Sequence, residues 1–184
     1  MIHWPGVSGL QSNHVDNKKY RRITWLSLSR LHEAGLIKSI GVSNYLIQHL
    51  EDLKTCDSIK SLVPAVNQVE WHPHYHNTEL LKYCRENGIF LQAYSSLGGS
   101  KSNATSLRND SIIIKIAKNL GKSPVQILLR WAFQQNIGIL PKGSSKEHIE
   151  ENIDLGFNLS EEDMDTLASL KAKEKFAWDP TVVS

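Results

Sequence analysis

The chain has only two cysteines, Cys56 and Cys84, no apolar run of membrane-spanning length, no leader-like segment and no stretch of like charge. Each absence removes a class of protein. Two thiols in helix-patterned segments do not make a disulfide framework, and with no secretory signal they point to a reducing cytosol and idle thiols. Without a span of about 18 or more apolar residues there is no transmembrane helix to place. The 21 basic and 19 acidic residues are interspersed and leave a net charge of +2, so neither nucleic acid nor a membrane surface is the expected partner. A small ligand is. What is present is 184 residues, 40% of them hydrophobic, enough for one globular domain with a substantial core and unlike a disordered chain.

Read in order, the chain alternates two patterns. Met1 is followed directly by Ile2-His3-Trp4-Pro5, a strand tip with no strand before it, so the chain opens in mid-element. Residues 18–34 carry Ile23, Leu26, Leu28 and Leu31 at helical intervals, stopped by Gly35. A β-branched strand over 37–42 runs into Ser43-Asn44, and 46–56 is helical again. Strands follow at 65–69, 89–94 and 138–140, separated by helices at 79–86, 111–119 and 125–135. Ser123-Pro124 reads as a helix start, and so does Ser160, whose acidic first turn complements the helix dipole. Strands alternating with helices imply βαβ units and a parallel sheet, as a barrel or as an open sheet.

Polar residues sit where the strands end: His3, Ser43 with Asn44, Gln68, Tyr94 with Ser95, and Lys142. In parallel α/β folds such ends share one face, and that face holds the ligand. The last two ends carry a Gly-rich loop, residues 95–100, and the segment Lys142-Gly143-Ser144-Ser145 before a helix. A glycine that admits a close ligand, hydroxyls that cap and first-turn N–H groups together favour an anion, a phosphate first of all. The same features also describe an ordinary capped loop with a solvated lysine. His72-Pro73-His74-Tyr75-His76 would suit zinc if it were a regular strand, but Pro73 argues for a loop, and no metal site is assigned.

The order of these pieces closely resembles the aldo-keto reductase family, a (β/α)₈ barrel that binds NADP(H). His3-Trp4-Pro5 is similar to that family's catalytic histidine motif, Gly41-Val42-Ser43-Asn44 to its Gly-Val-Ser-Asn, and Asn67-Gln68-Val69-Glu70 to its Asn-Gln-Val-Glu. Ala93-Tyr94-Ser95-Ser96-Leu97-Gly98 resembles Ala-Tyr-Ser-Pro-Leu-Gly, and the lysine loop with its helix resembles Pro-Lys-Ser followed by Arg-Ile-x-Glu-Asn. The resemblance spans nearly the whole chain. It implies one partial reductase domain over 1–184, with a core over 1–172 and a tail over 173–184.

That resemblance also implies roles. Ser43, Asn44 and Gln68 hold the nicotinamide carboxamide; Tyr94 stacks on the ring; Ser95, Leu97 and Gly99 or Ser100 line the pyrophosphate. Lys142, Ser144, His148, Glu151 and Asn152 surround the adenosine 2′-phosphate and adenine, while His3 orients a small-molecule carbonyl substrate. Trp4 and Trp71 are candidates for an apolar substrate pocket, or equally for the core. The implied reaction is hydride transfer from the nicotinamide to an aldehyde or ketone, completed by a proton from a tyrosine assisted by lysine and aspartate.

Those three residues belong to earlier barrel strands and have no counterpart in this sequence, because Tyr20, Tyr45, Tyr75 and Tyr83 match no catalytic motif. Four strands and a stub make the last four to five βα units of an incomplete (β/α)₈ barrel, with a C-terminal helix and tail. The expectation is therefore a truncated reductase with impaired turnover, the alternative being a non-catalytic nucleotide-binding or protein-binding relative. His148 stands where the family commonly has Arg, which replaces a permanent bidentate clamp by a mostly neutral ring and weakens the preference for NADP(H) over NAD(H). Ser96 takes the place of the usual Pro, and Gly143 that of a hydroxyl.

Overall fold

A computed structural model of the chain describes residues 1–55, 62–99, 105–171 and 174–184. Cys56 and Ser100 lie outside the described residues. The rest folds as two compact units, Met1–Val69 with Thr78–Leu91 and Asp179–Ser184, and Glu70–Asn77 with Gln92–Trp178.

The first unit begins with helix α1, Asp16–Glu33, which ends as expected where Gly35 takes a left-handed φ of 71°. Its buried face differs from the expected one. Asn17, Arg21, Trp25 and Ser29, spaced four apart, face inward, while Ile23 and Leu31 are exposed. The polar members of that stripe are buried because each is bonded. Asn17 accepts from Val7 N and donates to Gln11 O and Ser12 O; Arg21 donates to Pro5 O, Ser184 O and Asp52; Ser29 donates to Trp25 O.

Strand β1 is only Val42–Ser43, shorter than the 37–42 read from the sequence. The shortfall has a local cause: Leu36 N and Ile37 N both donate to Leu31 O, so the start of that run is spent closing the end of α1. β1 pairs in parallel with β2, Val66–Glu70, placing Val42 beside Asn67 and Ser43 beside Gln68. Ile2 forms a parallel bridge to Val42. Helices α2, Ile47–Lys54, and α3, Thr78–Glu86, bury Leu50, Leu53, Leu80, Leu81 and Cys84. Burial pushes the Cys84 thiol up to about 11, so it is an inert thiol at neutral pH.

Strand β3, Phe90–Tyr94, continues the sheet, with Phe90 N donating to Ala65 O in the first unit and Tyr94 O accepting from Trp71 N in the second. It pairs in parallel with β4, Gly138–Ile139, and the strand order is β1-β2-β3-β4. In the second unit the helices are α4, Thr105–Arg108, α5, Ser111–Leu120, α6, Pro124–Gln134, α7, Lys146–Ile153, and α8, Glu161–Ala168. A four-residue helix such as α4 is too short to show a period, and nothing in the sequence singled it out. The remaining starts are capped as their residues suggest: Asp110 accepts from Ile112 N, Ser123 and Gln126 form a capping box, and Ser160 accepts from Asp163 N. The core of this unit is Ile113, Ile127, Leu128, Leu129, Trp131 and Leu167, each at most 1% exposed. The architecture is α/β with a parallel sheet. Among the described residues no helix is long and apolar enough to cross a membrane.

Candidate cofactor site

The candidate residues of the first unit sit where β1 and β2 end. Asn44 adopts φ 64°, a left-handed backbone that asparagine tolerates better than most residues, immediately after the strand. That turn aims its carboxamide back at the sheet, where Nδ2 donates to His3 O at 3.0 Å and to Ser43 Oγ at 3.1 Å. Ser43 Oγ in turn donates to Gln68 O at 2.7 Å, and Asn44 N to the same carbonyl at 2.9 Å. His3, Ser43, Asn44 and Gln68 are thus joined by hydrogen bonds into one rigid cluster. His3 itself is exposed, its ring 5.6 Å from the half-buried Trp4.

In the second unit β3 delivers Tyr94 and then Ser95, whose φ of 52° is the second left-handed, non-glycine residue at a strand exit. Backbone strain of this kind gathers at ligand sites. Burial first, and the Glu70 charge second, push the Tyr94 phenol well above its usual range, so it keeps its proton. At Ser95 lies a cavity of about 490 Å³, lined by residues 95–99, Arg108, Leu140, Pro141 and Lys142. Gly99 is pressed against Phe176: a Cβ there would lie 3.0 Å from Phe176 Cβ.

Lys142 reaches the cavity wall, whereas Ser144, His148, Glu151 and Asn152 do not line it. Ser144 and His148 are exposed, and Asn152 is buried. His148 and Asn152 lie four apart on α7 and therefore share a face with Glu151 beside it. Of the two serines, Ser145 is the cap, accepting from His148 N at 3.3 Å.

Trp71 lies within the core of this unit, 1% exposed, stacked on Trp131 at 6.1 Å and near His76 at 5.6 Å. The histidine segment around it is spoken for. His72 Nε2 meets Glu70 Oε1 at 3.0 Å, His74 Nε2 meets Asp110 Oδ2 at 3.0 Å, and His76 Nδ1 faces His72 O at 3.4 Å. Among the described residues no three histidines, cysteines or carboxylates converge as a metal site.

Two elements of this region were not found from sequence. Arg108 is one. The other is Glu70, 3% exposed, which accepts from His72, from Lys175, from Phe176 N at 2.7 Å and from Ala177 N at 3.2 Å. Burial opposes its ionisation, but the His72, Lys175 and Phe176 bonds win and bring its pKa to about 2. The segment 174–177 is thereby fastened near the Gly-rich loop, with Glu174 also accepting from Ser106 Oγ. The strand-exit glutamate was visible in the sequence, but its donors Lys175, Phe176 and Ala177 lie more than 100 residues away.

Tyr45 is fully buried, its hydroxyl unpaired and its pKa raised by burial. Tyr83, on α3, donates to Glu51, which also takes Lys54 at 2.9 Å; burial and that carboxylate raise the Tyr83 pKa.

These features define a class of protein. The sequence model of the aldo/keto reductase family matches residues 2–172, and the chain belongs to that family. It is 38% identical over 181 residues to the glyoxal reductase of Bacillus subtilis (strain 168), covering 98% of this chain and 59% of that protein. To the NAD(P)H-dependent D-xylose reductase of Candida tropicalis it is 37% identical over 187 residues, covering 93% and 57%. Two crystal structures superpose well. One is the aldo-keto reductase MGS-M4 from a deep-sea metagenome, with TM-score 0.80 and 33% identity over all of this chain and 63% of that one. The other is a mutant of Gox0644 in complex with NADPH, with TM-score 0.82 and 29% identity over 100% and 62%. The chain spans about three fifths of the length of these relatives.

Proposed function

We propose that this chain is the cofactor-binding part of an NAD(P)H-dependent reductase of aldehydes and ketones, its strands being the later strands of a (β/α)₈ barrel. The observation that carries the reading is the cavity lined by the Gly-rich loop and Lys142: its described residues offer cations and hydroxyls and include no carboxylate, a lining that suits the phosphates of a dinucleotide. Two left-handed strand-exit residues, Asn44 and Ser95, stand at positions assigned to the same ligand. The length match to relatives that are 57–59% covered supports the partial barrel, and a solved relative that holds NADPH supports the cofactor.

Bound there, the reduced nicotinamide supplies a hydride to a carbonyl carbon. The residues of this chain position it. Ser43, Asn44 and Gln68 hold the carboxamide; the Tyr94 ring packs on the nicotinamide; Ser95, Leu97 and Gly99, or Ser100 outside the described residues, flank the diphosphate. Lys142, Ser144, His148, Glu151 and Asn152 take the adenosine 2′-phosphate and adenine, and His3 orients the carbonyl oxygen. No general acid is assigned within this chain: the Tyr45 hydroxyl is buried without a partner, and Tyr83 lies on α3 and donates to Glu51.

Titration of NADPH and NADH into the 184-residue chain, followed by quenching of its tryptophan fluorescence, tests this. NADPH is expected to bind more tightly than NADH by a modest factor, and Lys142→Gln to weaken NADPH more than NADH, because only NADPH carries the 2′-phosphate. Absence of binding by either nucleotide overturns the reading, and steady oxidation of NADPH with a small aldehyde overturns the missing acid.

A further inference from the structure

The left-handed turn at Asn44 is pinned by a residue that has no role in the site so far. A non-glycine residue keeps a positive φ only where its surroundings over-determine it. Asn44 N donates to Gln68 O at 2.9 Å, and the next residue is held from the neighbouring position of β2: Asn67 Nδ2 donates to Tyr45 O at 2.9 Å, and Tyr45 N donates to Asn67 Oδ1 at 3.4 Å. A side-chain carboxamide carries a donor and an acceptor as a peptide group does, so it pairs with the Tyr45 backbone where the strand ladder, whose last pair is Ser43 with Gln68, has stopped. Asn67 is 0% exposed, and its carboxamide also bonds Cys84 on α3, which leaves it little freedom of its own. Successive residues of β2 thus grip the chain on either side of the turn, Gln68 before it and Asn67 after it.

We propose that Asn67 is a positioning residue for the nicotinamide: by clamping Tyr45 it fixes the turn that aims the Asn44 carboxamide. This rests on the cofactor reading, in which Ser43, Asn44 and Gln68 hold the nicotinamide carboxamide. Being fully buried, Asn67 offers no surface to a ligand and acts through Asn44, whose Nδ2 ties the same turn to His3 O and Ser43 Oγ. Without the clamp the buried N–H and C=O of Tyr45 lose their partner, and a backbone that shifts to satisfy them moves Asn44 with it. The penalty falls on ligands that carry a nicotinamide and spares those that carry adenosine phosphates alone.

Two measurements on Asn67→Ala test it, with Asn67→Ser, whose hydroxyl is too short to span both Tyr45 groups, taking its place if the first variant does not fold. One is isothermal titration with NADPH, NADH and adenosine 2′,5′-bisphosphate, the last of which has no nicotinamide. The other is native-state hydrogen exchange at the Asn44 amide, with the Leu50 amide of α2 as the reference. Both dinucleotides are expected to weaken by roughly tenfold, as loss of a buried hydrogen bond does, while the bisphosphate binds as it does to the parent. The Asn44 amide is expected to lose protection by roughly tenfold relative to Leu50. Weakening of all three ligands alike overturns the proposal, because a merely structural residue does that. So does unchanged dinucleotide affinity, and so does an Asn44 amide that keeps its protection or loses it only in step with Leu50. If the parent chain binds neither dinucleotide, the cofactor reading falls, and exchange alone decides whether Asn67 holds the turn: selective loss at Asn44 keeps that role, and its absence ends it.

Discussion

Replacing Glu70 by Gln keeps the shape of the side chain and removes one charge from a nearly dry site. A glutamine has one acceptor oxygen where the carboxylate has two, so it can keep Phe176 N and His72, but it then turns an NH₂ group toward the Lys175 ammonium and Ala177 N, donor against donor. Two routes give the cost. A pKa moved from 4.5 to about 2 corresponds to about 3 kcal/mol of stabilisation of the ionised, fastened form. Breaking a buried pair by removing one partner costs about 3–5 kcal/mol by analogy with other proteins. The two agree near about 3 kcal/mol, or roughly a hundredfold in the opening equilibrium of segment 174–177. Native-state hydrogen exchange at the Phe176 and Ala177 amides reads that equilibrium directly. Because the folded pKa lies below the unfolded one, the stabilisation is complete above about pH 4.5 and is lost as the pH falls toward 2. Glu70→Gln should abolish that pH dependence along with the protection. Protection within about threefold of the parent at pH 6 would refute the view that the carboxylate fastens this segment.

Other expectations are shorter to state. His49 is fully buried, with Nδ1 accepting from Leu46 N and Nε2 donating to Val183 O; burial first, and the Arg21 charge against the opposing Val183 bond, hold its pKa down to about 4. The unfolded chain therefore takes up the proton first, and stability should fall by about 3 kcal/mol between pH 6.5 and 4, a slope that His49→Gln flattens in urea unfolding at a series of pH values. At Gly41 a Cβ would lie 2.7 Å from Val66 Cγ1 and 2.9 Å from Val66 O, so Gly41→Ala should cost about 1–3 kcal/mol, and adding Val66→Ala should restore only part of it because the carbonyl clash stays. Urea midpoints of the single and double variants check this.

Elements bounded by local chemistry were legible in the sequence, because their signals lie within a few residues of each other. Ser123-Pro124, Ser160 and Gly35 mark helix ends where the structure has them. The buried face of α1 was not legible: Asn17, Arg21 and Ser29 read as surface residues until the fold supplies their partners, among them Pro5, Ser184 and Asp52 for Arg21. The same holds for the site. Asn44, Ser95 and Lys142 announce themselves at strand ends. Arg108 is brought to the cavity by a helix of four residues that has no period to read, and Glu70 acts through amides at 176 and 177. Which serine caps α7, Ser144 or Ser145, is settled only by the backbone that precedes the helix.

Asp110 serves two masters: one carboxylate oxygen caps α5 through Ile112 N, and the other holds His74 Nε2. A nickel or zinc ion that recruits His74 must first draw on the carboxylate that caps a helix. His72 is likewise engaged by Glu70, so the run His72-Pro73-His74-Tyr75-His76, which on paper looks like a chelating tag, offers no open claw. The folded protein should pass through an immobilised-metal column without retention by this segment, and should bind there only once denaturant has released the two carboxylates.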